Sequence, residues 1–141
     1  MLKKRKFFWL GIFLLILILA AWGYYQYQRP HRSAGGENAT LSIIADSLYG
    51  QYASDEKRCD GKYMGKVLEV SGTLAEIQHS GQSEIWMLST GAGNGGGINC
   101  QLFPGEKLPV PRPKPGDKVT VKGRCTGFLM DVNLSDCIVV K

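Results

Sequence analysis

The sequence predicts a mainly β domain, a small closed barrel of five strands with one N-terminal amphipathic helix, preceded by a single transmembrane helix. Three observations predict it. Residues 7–22 carry no charge or strong polar group. Residues 38–58 repeat apolar side chains at three- and four-residue steps. From Lys66 onward, short alternating runs rich in β-branched residues are separated by glycine and proline clusters. The 141 residues leave room for one small domain beyond the apolar segment, which excludes a multidomain enzyme.

The apolar run FFWLGIFLLILILAAW extends through Gly23, Tyr24 and Tyr25 to nineteen residues. At about 1.5 Å of rise per residue it approaches the roughly 30 Å hydrocarbon thickness of a bilayer. Phe7 and Trp9 at one end and Trp22, Tyr24 and Tyr25 at the other match the aromatic belts of the two interfaces. A core helix apolar on every face cannot be covered by so small a domain. Lys3–Lys6 (KKRK) precede the span and only Arg29 and Arg32 follow it closely. The positive-inside rule therefore puts a basic tail, residues 1–6, in the cytoplasm and the rest of the chain beyond residues 7–27 outside it. Trp22 and the tyrosines make Ala21 and Gly23 a poor cleavage site, so the segment is expected to stay as a signal anchor in the membrane.

Charge sorts with this division. The chain carries 17 basic and 12 acidic residues, net +5. Residues 1–32 hold six basic residues and no acid, residues 33–37 one acid, and residues 38–141 eleven of each sign. The domain proper is thus neutral, which argues against nucleic-acid binding driven by bulk electrostatics.

Residues 28–37, with Pro30, Gly35 and Gly36, read as a flexible tether. The domain spans 38–141. Asn38 is a suitable N-cap for a helix over 38–58 whose stripe is Leu41, Ile44, Ala45, Leu48 and Tyr52, ended by Cys59-Asp60-Gly61. The barrel occupies 66–140. Its first strand, 67–78, carries Gly72 where a bulge or bend would sit, and His79–Gln82 is a turn. Strands over 84–89 and 98–103 flank the glycine-rich Thr90–Gly97. Residues 104–116 hold five prolines, which preclude a helix there. The fourth strand is 117–125, with Val119, Val121, Gly123 and Cys125 on one face. The fifth is 132–140, after a turn near 127–131. One helix and five short antiparallel-type strands, the first long and bent, suggest an OB-fold-like barrel in which the 38–58 helix replaces the usual plug.

Residues 53–73 (ASDEKRCDGKYMGKVLEVSGT), 98–103 (INCQLF), 115–127 (PGDKVTVKGRCTG) and 131–139 (DVNLSDCIV) together resemble the tRNA_anti-like family. These are small bacterial proteins also described as OB-fold lipoproteins. The likeness covers about residues 41–140 and implies the OB fold; the family's motifs are structural rather than catalytic. No cysteine precedes Cys59, so a lipoprotein's acylation site is missing and a helical anchor is expected in its place.

Cys59, Cys100, Cys125 and Cys137 are separated by 40, 24 and 11 residues, with no CxxC pair. The zinc and thioredoxin-like signatures are absent. In an envelope compartment an even count suggests disulfides; buried free thiols are the alternative. If 127–131 is a tight turn, Cys137 lies about four residues past the position opposite Cys125, too far for a bond that needs Cα atoms within about 7 Å. The strand neighbours of an OB barrel would then bring Cys59 to Cys125 and Cys100 to Cys137.

Trp86, in the second strand, lies where OB-folds present their binding face and could stack on a base or a sugar, or pack in the core. Phe128-Leu129-Met130 forms an apolar turn that suggests a protein or membrane contact. Lys118, Lys122 and Arg124 share strand parity and form an outward basic stripe, which reads as a solvated face or as a nucleic-acid contact. The glycine-rich run lacks the Lys-Ser/Thr of a phosphate loop. His31 and His79 have no partners in sequence, and no nucleophile–base arrangement or cofactor signature is present. The expected function is therefore a noncatalytic, membrane-anchored module that docks a peptide, an envelope protein or a saccharide. Single-stranded nucleic-acid binding is the alternative.

Overall fold

The computed structural model describes residues 2–27, 33–91 and 95–140. It forms two compact units, residues 1–31 and 32–141.

The first unit is helix α1, Leu2–Tyr27. Its Lys4–Tyr27 stretch is, among the described residues, the one helix long and apolar enough to cross a membrane. None of that stretch is buried, and Phe7, Trp9, Trp22, Tyr24 and Tyr25 are exposed at its two ends. A helix this long, apolar on every face and with no buried residue, has the form of a membrane span.

In the second unit, β2 (Val67–Ser80), β3 (Ser83–Ser89), β4 (Gly97–Leu102), β5 (Lys118–Leu129) and β6 (Asp131–Val139) pair in the order β2-β3-β4-β6-β5. Antiparallel pairing of Val67–Thr73 with Arg124–Lys118 returns β5 to β2 and closes the barrel. β4 and β6 are the parallel pair. This is the predicted five-stranded OB-type barrel. Alternate residues point inward, so Leu68, Val70, Leu74, Trp86, Leu88, Ile98, Val119, Val121, Val132 and Leu134 fill a core with almost no exposed surface. The proline-rich 103–117 connection contains no helix, as expected.

The expected single helix over 38–58 is corrected. Leu41–Ile44 is instead a strand, β1, parallel to β2 in the register Leu41↔Leu68 to Ile44↔Ser71. Thr40 N–H donates to the Val67 carbonyl at its entrance. Leu41 and Ile44, assigned to the buried stripe, are exposed. Two consecutive β-branched isoleucines favour the strand, and a partner edge on β2 was present to receive it. The helix proper is α2, Ala45–Ser54, which covers the barrel with Leu48, Tyr49 and Tyr52 buried. At Asp55 the chain breaks and restarts as α3, Glu56–Tyr63, with the Asp55 carboxylate accepting from Arg58 N–H at 3.0 Å. α3 runs through Cys59-Asp60-Gly61 and ends before Gly65, whose φ of 78° is the left-handed stop.

Of the bulge or bend expected at Gly72, the bulge lies elsewhere. The register shift lies between Leu74 and Glu76. Gly72 permits close approach instead, since a Cβ there would lie 2.8 Å from the Ala45 Cβ. The β5–β6 turn is tighter and later than expected, with Met130 at φ 64°, so β5 runs on to Leu129.

The tether is corrected in part. Residues 28–32 lie outside the described set, but 33–37 are docked on the barrel as a 3-10 turn with Ala34 buried.

Candidate ligand-binding groove

The outer face of the barrel over β3, β4 and β6 is built from the residues that alternate with the core. Ile85 and Met87 point outward on β3, Asn99 and Gln101 on β4, and Asp131, Asn133 and Ser135 on β6. Where this face meets α3 and the β5–β6 turn there is a groove of about 500 Å³, within the range of small-ligand sites. Glu56 and Asp60 of α3, with Met64 just after it, form one wall, Thr126–Leu129 the rim, and Ile85, Asn99, Gln101, Asn133, Leu134 and Ser135 the floor. The lining has two carboxylates and no lysine or arginine.

A hydrogen-bond network sets the floor. Asp131 accepts from Gly97 N–H at 2.7 Å and from the Asn99 amide at 3.4 Å. The Asn99 amide also donates to Asn133 Oδ1 at 3.4 Å, Asn133 Nδ2 donates to the Asp131 carbonyl at 3.1 Å, and Thr126 donates to the Asn133 carbonyl at 3.1 Å. Asp60 Oδ1 is buried with no hydrogen-bond partner.

A second cavity of about 630 Å³ lies where β1 gives way to α2, lined by Asp46, Ser71, Thr73, Ser89, Lys118 and Thr120. Asp46 accepts from Gly91 N–H there at 2.5 Å.

The sequence-predicted residues separate. Trp86 is wholly buried, its indole N–H donating to Glu84 Oε2 at 3.0 Å, so it is a core residue and not a stacking platform. Phe128 reaches the groove but is spent on an aromatic cluster. Its ring stacks on Tyr52 at 5.5 Å between centroids and meets Tyr49 edge-on at 5.9 Å. Leu129 and Met130 project from the turn 82% and 85% exposed.

The basic stripe has the predicted parity but is not a free cationic face. Lys122 donates to the carbonyls of Glu37 at 3.0 Å and Gly35 at 3.5 Å. Arg124 donates to the Gly65 carbonyl at 2.7 Å and pairs with Glu37 at 2.6 Å. Both hold the 33–37 segment to β5. Lys118 alone of the three is exposed, beside the second cavity.

All four cysteines are buried free thiols, so the expected disulfides are not present. Cys125 Sγ contacts the Tyr52 hydroxyl at 3.2 Å rather than Cys59. Burial, the Cys125 contact and nearby Asp60 push the Tyr52 hydroxyl far above its ordinary range. Cys100 is next to Cys137, and its hydrogen bond together with burial raises the Cys137 thiol well above its ordinary value. Burial, with Asp55 close by, raises Cys59. Cys59 and Cys137 are thus held neutral, the opposite of an activated thiolate. His79 lies 3.7 Å from Glu84 with its side chain 73% exposed, and His31 is outside the described residues. Among the described residues no cluster of three His, Cys, Asp or Glu forms a metal site.

Sequence reasoning missed the amide floor. Its signal was there, in the alternation of Asn99 and Gln101 with Ile98, Cys100 and Leu102, and of Asn133 and Ser135 with Val132 and Leu134.

Residues 1–138 match the family described as tRNA_anti-like. Among solved structures, the chain is similar to a protein described as a putative nucleic acid-binding lipoprotein from Klebsiella pneumoniae subsp. pneumoniae. The identity is 16% and the TM-score 0.59, over 72% of this chain and 93% of that one. It is also similar, with a TM-score of 0.40 and 18% identity over 57% of this chain and 86% of that one, to the OBody AM3L09 bound to hen egg-white lysozyme. No curated protein sequence matches the chain.

Proposed function

The chain belongs to the tRNA_anti-like family, and we propose that it acts there as a membrane-anchored, noncatalytic OB-fold binding module on the extracytoplasmic side of a bacterial inner membrane. The observation that carries the reading is the chemistry of the groove. Its lining offers amides, hydroxyls and two carboxylates but no cation, while Lys122 and Arg124 are engaged with the chain's own backbone and Glu37. Such a groove suits an uncharged polar ligand or a peptide and repels a polyanion. α1 serves as the anchor, with Lys3–Lys6 retained on the cytoplasmic side by the positive-inside rule. Among the described residues no activated nucleophile accompanies the groove, which supports binding rather than catalysis.

Fusion of a reporter active only outside the cytoplasm after Lys141 tests the topology. Activity with an uncleaved product is expected; a silent fusion refutes the placement. Nucleic-acid binding is the second reading, favoured by the exposed Lys118 beside the second cavity and by the description of the Klebsiella protein. It requires oligonucleotide affinity that falls steeply with salt and is lost in Lys118→Glu.

A further inference from the structure

The backbone of the groove floor is already spent. β4 is hydrogen-bonded on both edges, to β3 and β6, and β6 likewise to β4 and β5. A peptide cannot add to this face as an extra strand, the mode that supplies main-chain affinity elsewhere. Recognition has to pass through side chains. Those of Gln101, Ser135 and Glu56 make no hydrogen bond within the described residues, and Asn99 keeps its carbonyl oxygen while its NH2 is held by Asp131 and Asn133. The floor therefore presents donors and acceptors on rigid strands, two of them oriented by a network before any ligand arrives. Ile85 and the exposed Leu129 supply apolar surface beside them, and the Glu56 and Asp60 carboxylates oppose an anion.

We propose that the groove takes an uncharged saccharide chain, an inference that rests on the binding-module reading above. A sugar ring carries hydroxyls on its rim, matching the amides and hydroxyl of Asn99, Gln101, Asn133 and Ser135. It also carries C–H faces, which match Ile85 and Leu129. It brings no phosphate or carboxylate to meet Glu56 and Asp60.

The full chain in lipid nanodiscs, free of sugar-based detergent, is titrated with maltotetraose, cellotetraose and chitotetraose while the asparagine and glutamine side-chain amides are followed by NMR. At least one tetrasaccharide is expected to move the signals of Asn99, Gln101 and Asn133. Gln101→Ala and Ser135→Ala, both surface changes that leave the core intact, should each weaken binding by about three- to tenfold, the loss of one net hydrogen bond. Lys107→Ala, in the proline-rich connection, should not. Failure of all three sugars to move these signals, or equal movement in Gln101→Ala, overturns the saccharide proposal. An uncharged decapeptide that moves the same signals in its place overturns it too, but leaves the binding-module reading standing. A deoxythymidine oligomer that moves them overturns both.

Discussion

Gly123 offers a direct test of the core between β5 and β6. A Cβ at this position would lie 2.3 Å from Cys137 Sγ and 3.2 Å from both the Leu134 Cβ and the Ser135 carbonyl oxygen. Ordinary carbon contacts lie at about 3.5–4.0 Å, so in Gly123→Ala the sulfur must retreat by more than about 1 Å. Cys137 has no exposed surface, and the other two neighbours are too close to the main chain to rotate away. Overpacking of this kind costs about 1–3 kcal/mol. The loss of glycine's freedom in the unfolded chain offsets about 0.5–1 kcal/mol of that. The net expectation is about 1 kcal/mol, or roughly 4–8 °C in Tm for a domain of this size.

The size of the loss alone does not identify its cause; the partner does. Cys137→Ala removes one buried heavy atom and should cost about 1 kcal/mol, like other single-atom deletions in cores. In the double variant the new methyl enters space the sulfur has left. The two losses should therefore fall short of additivity by about 0.5–1 kcal/mol. Leu134 and Ser135 still crowd the site, so the double variant stays below the parent. Thermal melts of the four proteins in nanodiscs, followed by circular dichroism, measure the cycle. Additive losses would refute the argument that Cys137 occupies the space glycine leaves.

Further consequences follow from single contacts. Trp86→Ala should cost about 3–5 kcal/mol, because the side chain is fully buried; a loss under about 1 kcal/mol in urea titration would contradict its place in the core. Burial alone would raise the Glu84 carboxyl, but the Trp86 indole and the Arg112 guanidinium bonded to it leave it below its ordinary value of 4.5. Glu84 therefore contributes stability above that pH, lost as pH falls through the lowered value, and Glu84→Gln should flatten that part of the acid limb of a pH–stability curve. Asp131→Ala leaves Gly97 N–H without its acceptor and should cost about 1–3 kcal/mol, with faster amide exchange at Gly97. Arg124→Ala should raise hydrogen exchange at residues 34–37 while lowering global stability by less than about 1 kcal/mol, since the Glu37–Arg124 pair is partly solvent-exposed.

Where period-2 patterning was strong, the strands were legible. The runs 84–89 and 98–103 became Ser83–Ser89 and Gly97–Leu102, and Val119, Val121 and Cys125 take the inward face their alternation assigned. Residues 38–58 failed for a physical reason. Leu41, Ile44 and Leu48 satisfy a helical period, but Leu41-Ser42-Ile43-Ile44 equally satisfies a short strand, and only the free edge of β2 decides between them. Such an edge is tertiary information that no local window contains. Gly72 illustrates the same limit from the other side. A glycine in a strand signals either a bulge or a close neighbour, and the neighbour, Ala45, is brought there only after α2 has docked.

The candidate site divided along similar lines. Aromatic and basic residues drew the functional reading, and the fold then used most of them structurally: Trp86 in the core, Phe128 against Tyr52, Lys122 and Arg124 on the 33–37 segment. Outward parity was a necessary condition for a binding residue, and Lys122 meets it, but parity says nothing about what else reaches that surface. Ser33–Glu37, read as free tether, is what reached it. The consequence is electrostatic as well as steric. Once Glu37 and the neighbouring carbonyls cover Arg124 and Lys122, Lys118 is the member of the stripe left exposed, and the groove on the β3–β4–β6 face keeps only carboxylates among its charged groups. The neutral balance of residues 38–141 is therefore unevenly distributed, and the two charged residues that line the groove, Glu56 and Asp60, are both acidic. A polyanionic ligand would have to overcome that field, whereas an uncharged polar one meets amides already fixed in place by Asp131.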